Sequence, residues 1–183
     1  MKLYMIRHGQ SLNNLSKCYT GWQQVELSPQ GREEAREIRS ALGNIPFDKV
    51  YSSDLVRAIE TQQLALPGVK AMQTPLLREV DVGNLAGKPI AECREKYPEL
   101  QQKHSGFAAY GGESYEVFYA RLREFLNLLE SDPTDTVAAF CHLGAIRGMI
   151  NIVSEGGEVP AVSLKNCGVF VFNYNDGKWS FEA

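Results

Sequence analysis

The sequence is short of three features that often define a protein's class. It has no excess of charge of one sign: 22 acidic side chains stand against 19 basic ones, a formal net charge of −3. A nucleic-acid binder needs a strongly basic face, so no nucleic-acid partner is expected, and the same balance argues against a disordered acidic tail. It has no paired cysteines. The four at positions 18, 93, 141 and 167 show no CxxC spacing and read as reduced thiols, not as a disulfide framework. It also has no window approaching the ~20 apolar residues of a membrane span. The opening MKLYMIRHG, where one Lys precedes a short apolar run broken by Arg7 and His8, does not begin as a signal peptide does. A soluble, cytoplasmic protein without a membrane partner is therefore expected. No internal repeat or low-complexity segment is present.

What the sequence does hold is enough apolar content for one core. Of 183 residues, 44% are hydrophobic, and a chain of this length buries roughly 70% of its unfolded surface without needing a disulfide staple. Leu3 to Ile6 and Thr136 to Cys141 (TVAAFC) are near-continuous apolar runs, the pattern of strands buried on both faces of a parallel sheet. Ser28-Pro29 predicts a helix start, Ala35, Ile38 and Leu42 continue it at helical spacing, and Gly43-Asn44 stops it. Strands are predicted near Phe47 to Tyr51 and Val69 to Met72, with a helix over Asp54 to Leu64 between them. From Leu76 to Gly112 the pattern weakens into an irregular cap with one helical stretch, Ile90 to Lys96. Ser114 then opens a long helix with a single apolar stripe at Phe118, Leu122, Phe125, Leu126 and Leu129. A further helix is predicted over Ala145 to Val153, and Asn175-Asp176-Gly177 marks a hairpin between Gly168 to Tyr174 and Lys178 to Phe181. This alternation predicts an α/β fold, a three-layer α/β/α sandwich with a mostly parallel central sheet, in one domain spanning 1–183 with a cap insertion at about 83–112.

Histidine is scarce, and its placement is informative. Of three, at 8, 104 and 142, two sit just past the C-terminal ends of buried-strand runs, which is where open α/β sheets form their ligand crevice. Polar residues also stand there simply because a strand is leaving the core, so one histidine alone would decide little. Arg7 adjoins the first, and Arg57 falls on the first turn after a third strand, in YSSDLVRAIET. Two cations and two imidazoles in one crevice would attract a small dianion and stabilise charge on transferring phosphoryl oxygens. His104 in QQKHSG reads as a solvated loop residue, Glu113 with Ser114 as the start of the long helix, and Asn166-Cys167 as structural.

These residues carry a resemblance. RHGQSLNN at 7–14, Thr20-Gly21, Ser52-Ser53 with Arg57, Leu77-Arg78-Glu79 followed by Gly83 and Gly87, Gly112-Glu113-Ser114, and His142 follow in the order of the histidine phosphatase superfamily, the phosphoglycerate mutase-like family. The sequence looks closest to its small phosphatase branch, which includes α-ribazole phosphatases and broad-specificity phosphatases. The resemblance implies that His8 is the nucleophile, forming a phosphohistidine, and that Glu79 is the proton donor. Arg7, Arg57 and His142 would bind phosphoryl oxygens, with Asn14, Thr20, Gly21 and Leu143 around the phosphate. It implies a phosphatase acting on a small phosphorylated metabolite, with inorganic phosphate as a further ligand and neither metal nor cofactor, because the arginines supply the positive charge. Two departures stand out: Leu143-Gly144 where the family often has Gly directly after the second histidine, and Leu85-Ala86 where it often has Trp-Glu.

Three competing readings remain. The resemblance implies that mutases on the same scaffold bind a carboxylate with basic residues in a longer insertion, whereas 88–111 is short and mixes Lys88, Arg94, Lys96 and Lys103 with acids. Cys141 to Arg147 matches the Cys-x5-Arg loop of cysteine-dependent phosphatases. A phosphate-binding module without turnover would have no need of Glu79. The edge offered by the terminal hairpin is where a homo-oligomer would pair.

Overall fold

The two most apolar runs lie side by side at the centre of a six-stranded sheet. The computed structural model describes residues 1–101, 106–132, 134–155 and 164–182. In chain order the elements are β1 (Lys2–Arg7), α1 (Leu12–Leu15), α2 (Pro29–Glu37), α3 (Arg39–Gly43), β2 (Lys49–Ser53), α4 (Val56–Ala65), β3 (Met72–Thr74), α5 (Ile90–Lys96), α6 (Tyr115–Ser131), β4 (Thr136–Cys141), α7 (Leu143–Val153), β5 (Val169–Asn175) and β6 (Lys178–Glu182). The strand order is β3-β2-β4-β1-β5-β6. The first four strands are parallel, and β5 and β6 form an antiparallel hairpin on the β1 side. The fold is α/β with a mostly parallel sheet, as the alternation of the sequence implies.

Because side chains alternate across a strand, each central strand feeds two cores. Leu3 and Met5 of β1 and Val137, Ala139 and Cys141 of β4 pack with the α6 stripe Phe118, Leu122, Phe125, Leu126 and Leu129 and with Ala145, Ile146, Met149 and Ile150 of α7. On the opposite face Ile6, Val50, Ala138 and Phe140 meet Leu42, Ala65 and Leu66. A third, smaller cluster of Val82, Leu85 and Cys93, with Tyr19, Tyr97, Phe107 and Tyr110 against it, holds the segment between β3 and α6 together.

Register places the site. Lys2 pairs with Thr136 and Arg7 with Cys141, so β1 and β4 end level and the next residues, His8 and His142, leave the sheet together. Ser52 pairs with Phe140, bringing the end of β2 and the start of α4 to the same edge.

The boundaries differ from the sequence reading where local signals compete with tertiary ones. The edge strand lies at Met72–Thr74 and not at Val69 to Met72, because its parallel ladder begins at Tyr51↔Met72. The helix opened by Ser28 breaks at Ile38, which has ψ −5°, into α2 and α3. The four-residue α1 was not foreseen: Ser11 and Asn14 form a reciprocal capping box over too short a stretch for any periodicity.

Candidate active site

His8 and His142 are almost completely buried, at 3% and 0% exposure, and their ring centroids lie 5.1 Å apart. His8 Nδ1 is 2.6 Å from the Gly9 carbonyl oxygen. Only a protonated Nδ1 can donate there, so Nε2 carries the lone pair. Arg57 Nε–H donates to that Nε2 at 3.3 Å. The Arg57 guanidinium, itself 1% exposed, is held by donating to the Gln23 and Gly21 carbonyls at 3.0 and 2.9 Å. On the other ring, His142 Nε2 lies 2.9 Å from Ser53 Oγ.

Among the described residues three buried side-chain polar atoms lack a hydrogen-bond partner, and two of them are Arg7 Nε and His142 Nδ1. Buried donors are normally satisfied. These two atoms lie beside His8 and Arg57; Arg7 Nε–H is a donor that a bound anion's oxygen would complete, as is His142 Nδ1 in the tautomer where Ser53 donates to Nε2. Arg7 is anchored through its other end, donating to the Leu164 carbonyl at 2.5 Å.

Burial pushes both imidazoles well below the ordinary histidine range, with the Arg57 charge adding to the effect. Both are therefore neutral near pH 7, and His8 Nε2 is unprotonated. Burial also lowers the Arg57 guanidinium to about 10, with Glu79 opposing the fall, and it lowers Arg7. At neutral pH Arg57 stays cationic.

Glu79 lies near enough for its charge to act on Arg57 and Arg7. Its carboxylate accepts the Gly144 N–H at 3.0 Å and the Val80 N–H at 2.9 Å. A Cβ at Gly144 would lie 1.9 Å from Glu79 Oε1, so any larger residue there would displace the carboxylate. The departure Leu143-Gly144 thus sets the glycine amide under Glu79, while Leu143 supplies the first residue of α7. Trp22 Nε1–H and Arg121 donate to the Glu79 carbonyl at 2.7 and 3.2 Å, and Arg121 is ion-paired to Glu113 at 2.8 Å. Sequence reasoning did not pick out Trp22 or Arg121, because both act on the main chain of Glu79.

The other residues expected around the phosphate are held by main-chain bonds. Asn14 Oδ1 accepts the Ser11 N–H at 3.2 Å. Gly21, at φ +50°, turns its carbonyl to Arg57, and the Thr20 carbonyl accepts the Gln23 N–H at 3.1 Å. Asn166, read from sequence as structural, donates to the His8 carbonyl at 3.0 Å. The Cys141 reading is overturned: its side chain belongs to the core beneath α7, fully buried, and burial pushes the thiol far up. A thiol so held cannot supply a thiolate nucleophile. His104 and Lys103 lie outside the described residues.

At level strand ends the two buried histidines stand together with the Arg57 guanidinium against His8 Nε2, and the chain belongs to the histidine phosphatase superfamily (branch 1), whose profile matches residues 3–183. It is similar to the 2,3-bisphosphoglycerate-dependent phosphoglycerate mutase 2 of Gloeobacter violaceus, 39% identical over 193 residues, covering 97% of this chain and 88% of that protein. A broad-specificity phosphatase of Saccharomyces cerevisiae is 32% identical over 187 residues, covering 95% and 80% respectively. A solved structure described as a candidate α-ribazole-5′-P phosphatase of Escherichia coli superposes with a TM-score of 0.87 at 22% identity over 100% of this chain and 94% of the other, a likeness of fold. The family and the two relatives define an enzyme of the phosphatase or mutase kind. No described helix is long and apolar enough to cross a membrane.

Proposed function

We propose that the protein is a phosphomonoesterase that hydrolyses a small phosphorylated metabolite through a phosphohistidine on His8. The observation that carries this reading is the tautomer of His8. With Nδ1–H committed to the Gly9 carbonyl, the Nε2 lone pair faces the Arg57 guanidinium, where a phosphate dianion would be drawn.

In the first step the Nε2 lone pair forms the N–P bond as the ester P–O bond breaks, and protonated Glu79 gives its proton to the departing alkoxide. In the second, Glu79 as carboxylate takes a proton from water, the water oxygen bonds to phosphorus, and the N–P bond breaks to return neutral His8 and inorganic phosphate. Arg7, Arg57 and His142 would bind the phosphoryl oxygens and carry the developing charge. Asn14, Thr20, Gly21 and the Leu143 amide border the phosphate. Those donors are already cationic or N–H groups, and a divalent cation between the two imidazoles would meet the Arg57 charge. Activity without metal follows from this.

The test is to quench turnover of a 32P-labelled phosphomonoester and recover acid-labile, base-stable label on the protein in the presence of a chelator. His8→Ala should lose both label and activity. Label that survives in His8→Ala would end this reading.

The mutase reading draws support from the 39% identity to a phosphoglycerate mutase. The brevity of the segment 88–111 favours hydrolysis, since it leaves little chain to keep water from a phosphoenzyme. With 3-phosphoglycerate and a trace of 2,3-bisphosphoglycerate, release of inorganic phosphate should outpace formation of 2-phosphoglycerate, and the reverse ratio would assign the mutase.

A further inference from the structure

The carbonyl that fixes the His8 tautomer is itself held from two sides. Gly9 contributes to two peptide units. In the unit joining His8 to Gly9, the Gly9 N–H donates to Thr61 Oγ1 at 3.0 Å. The Thr61 hydroxyl, fully buried, donates in turn to the Arg57 carbonyl at 2.7 Å. Its proton is therefore committed within α4, and its lone pair is left for Gly9. In the unit joining Gly9 to Gln10, the Gly9 carbonyl takes the His8 Nδ1–H, and the Gln10 N–H donates to Glu34 Oε2 at 2.9 Å.

We propose that Glu34 and Thr61 are positioning residues for the nucleophile: Thr61 locks Gly9 to the helix that carries Arg57, and the Glu34 carboxylate acts on His8 through the Gly9–Gln10 amide. This rests on the phosphohistidine reading. The chain of groups runs from Glu34 Oε2 through the Gln10 N–H and the Gly9 carbonyl to His8 Nδ1–H. It is a carboxylate–imidazole pair with one amide inserted between the partners. A carboxylate on the N–H end polarises that amide and makes its carbonyl a stronger acceptor. Direct contact would instead favour a protonated, non-nucleophilic ring in the resting enzyme.

The effect grows along the reaction. In the resting state Nδ1–H belongs to a neutral ring. As Nε2 bonds to phosphorus, its lone pair is spent and the ring turns cationic, so the Nδ1–H···O=C bond becomes charge-assisted. An interaction that strengthens toward the transition state raises turnover without tightening ground-state binding. Loss of either residue should therefore appear in kcat and not in affinity for phosphate.

The two side chains reach Gly9 from different helices, Glu34 from α2 and Thr61 from α4. Glu34 lies on α2, whose first turn meets this loop backbone to backbone: a Cβ on Gly9 would lie 2.3 Å from the Gly31 carbonyl oxygen.

The experiment uses Glu34→Gln, which keeps an oxygen acceptor and removes the charge, and Thr61→Val, which keeps the shape and removes the hydroxyl, with Thr61→Ser as rescue. With p-nitrophenyl phosphate, kcat should fall about tenfold in the first two variants and return to within about threefold of the parent in Thr61→Ser. The inhibition constant for inorganic phosphate should stay within about twofold throughout. The His8 Nδ1 proton, followed by NMR in resting protein, should move upfield in Glu34→Gln, a readout independent of turnover. Unchanged kcat and proton shift in both variants would overturn the proposal. So would kcat and phosphate affinity falling together, the mark of a merely distorted site. Activity retained in His8→Ala would instead sink the phosphohistidine reading, and the NMR shift would still report on the clamp.

Discussion

The half-buried Glu79 carboxylate, the proton donor of the proposed mechanism, is held by the main-chain amides of Gly144 and Val80. Gly144→Ala would put a methyl group on the carboxylate and should lower kcat by about a hundredfold, as loss of a positioned general acid does. Titration with inorganic phosphate should give nearly parental affinity, and an unimpaired kcat would remove Glu79 from the role assigned to it. Arg57 makes a second residue-scale case. Arg57→Lys keeps a charge but cannot donate to His8, Gln23 and Gly21 together as the guanidinium does. Its kcat/KM should drop by about a hundredfold or more, measured by initial rates with a small aryl phosphate. At this scale the sequence showed His8 and His142, because they follow apolar runs directly, and Arg57, because it falls on the first helical turn after a third strand. It hid Thr61, Glu34, Trp22 and Arg121, because each acts on a backbone group, and which backbone group lies opposite is set by packing.

Between elements, the contact that matters most joins the loop after β1 to the first turn of α2. A Cβ on Gly31 would lie 2.1 Å from the Gln10 carbonyl oxygen, which is main chain and cannot swing aside. Gly31→Ala should therefore destabilise the fold by about 1–3 kcal/mol and also reduce turnover, because relief requires moving the loop that holds His8. Urea unfolding monitored beside kcat checks both, and a variant with parental stability and turnover would show that the two backbones are not in obligatory contact. By contrast, the α6 stripe was legible residue by residue. Phe118, Leu122, Phe125, Leu126 and Leu129 repeat at helical spacing, all are buried, and Ser114 caps the helix by accepting the Val117 N–H. The edge strand was misplaced because three exposed to half-buried residues, Met72 to Thr74, carry no pattern of their own, and the ladder with β2 decides where pairing begins.

For the molecule as a whole, the net charge of −3 conceals a local pair of guanidinium groups, Arg7 and Arg57, beside two buried neutral histidines. Unfolded, each imidazole gains a proton near pH 6.5; folded, burial and Arg57 keep both below that value. Below about pH 6.5 the unfolded chain thus binds more protons than the folded one, and stability falls as pH falls, by at most about 1.4 kcal/mol per pH unit for each histidine. Urea midpoints measured from about pH 7.5 down to 5 should decline, and His142→Gln should decline less steeply over the same interval; equal slopes would mean that His142 titrates alike in both states. The sequence by itself determined the α/β class, the ends of the two central strands and the family, because apolar periodicity and the order of Arg-His-Gly, Arg57, Glu79 and His142 are properties of a string. The tertiary structure alone decided the level register of β1 and β4, the tautomer of His8, the glycine amide beneath Glu79 and the burial that silences Cys141. Each of these depends on which groups from distant parts of the chain share a few ångströms of space from which water is excluded.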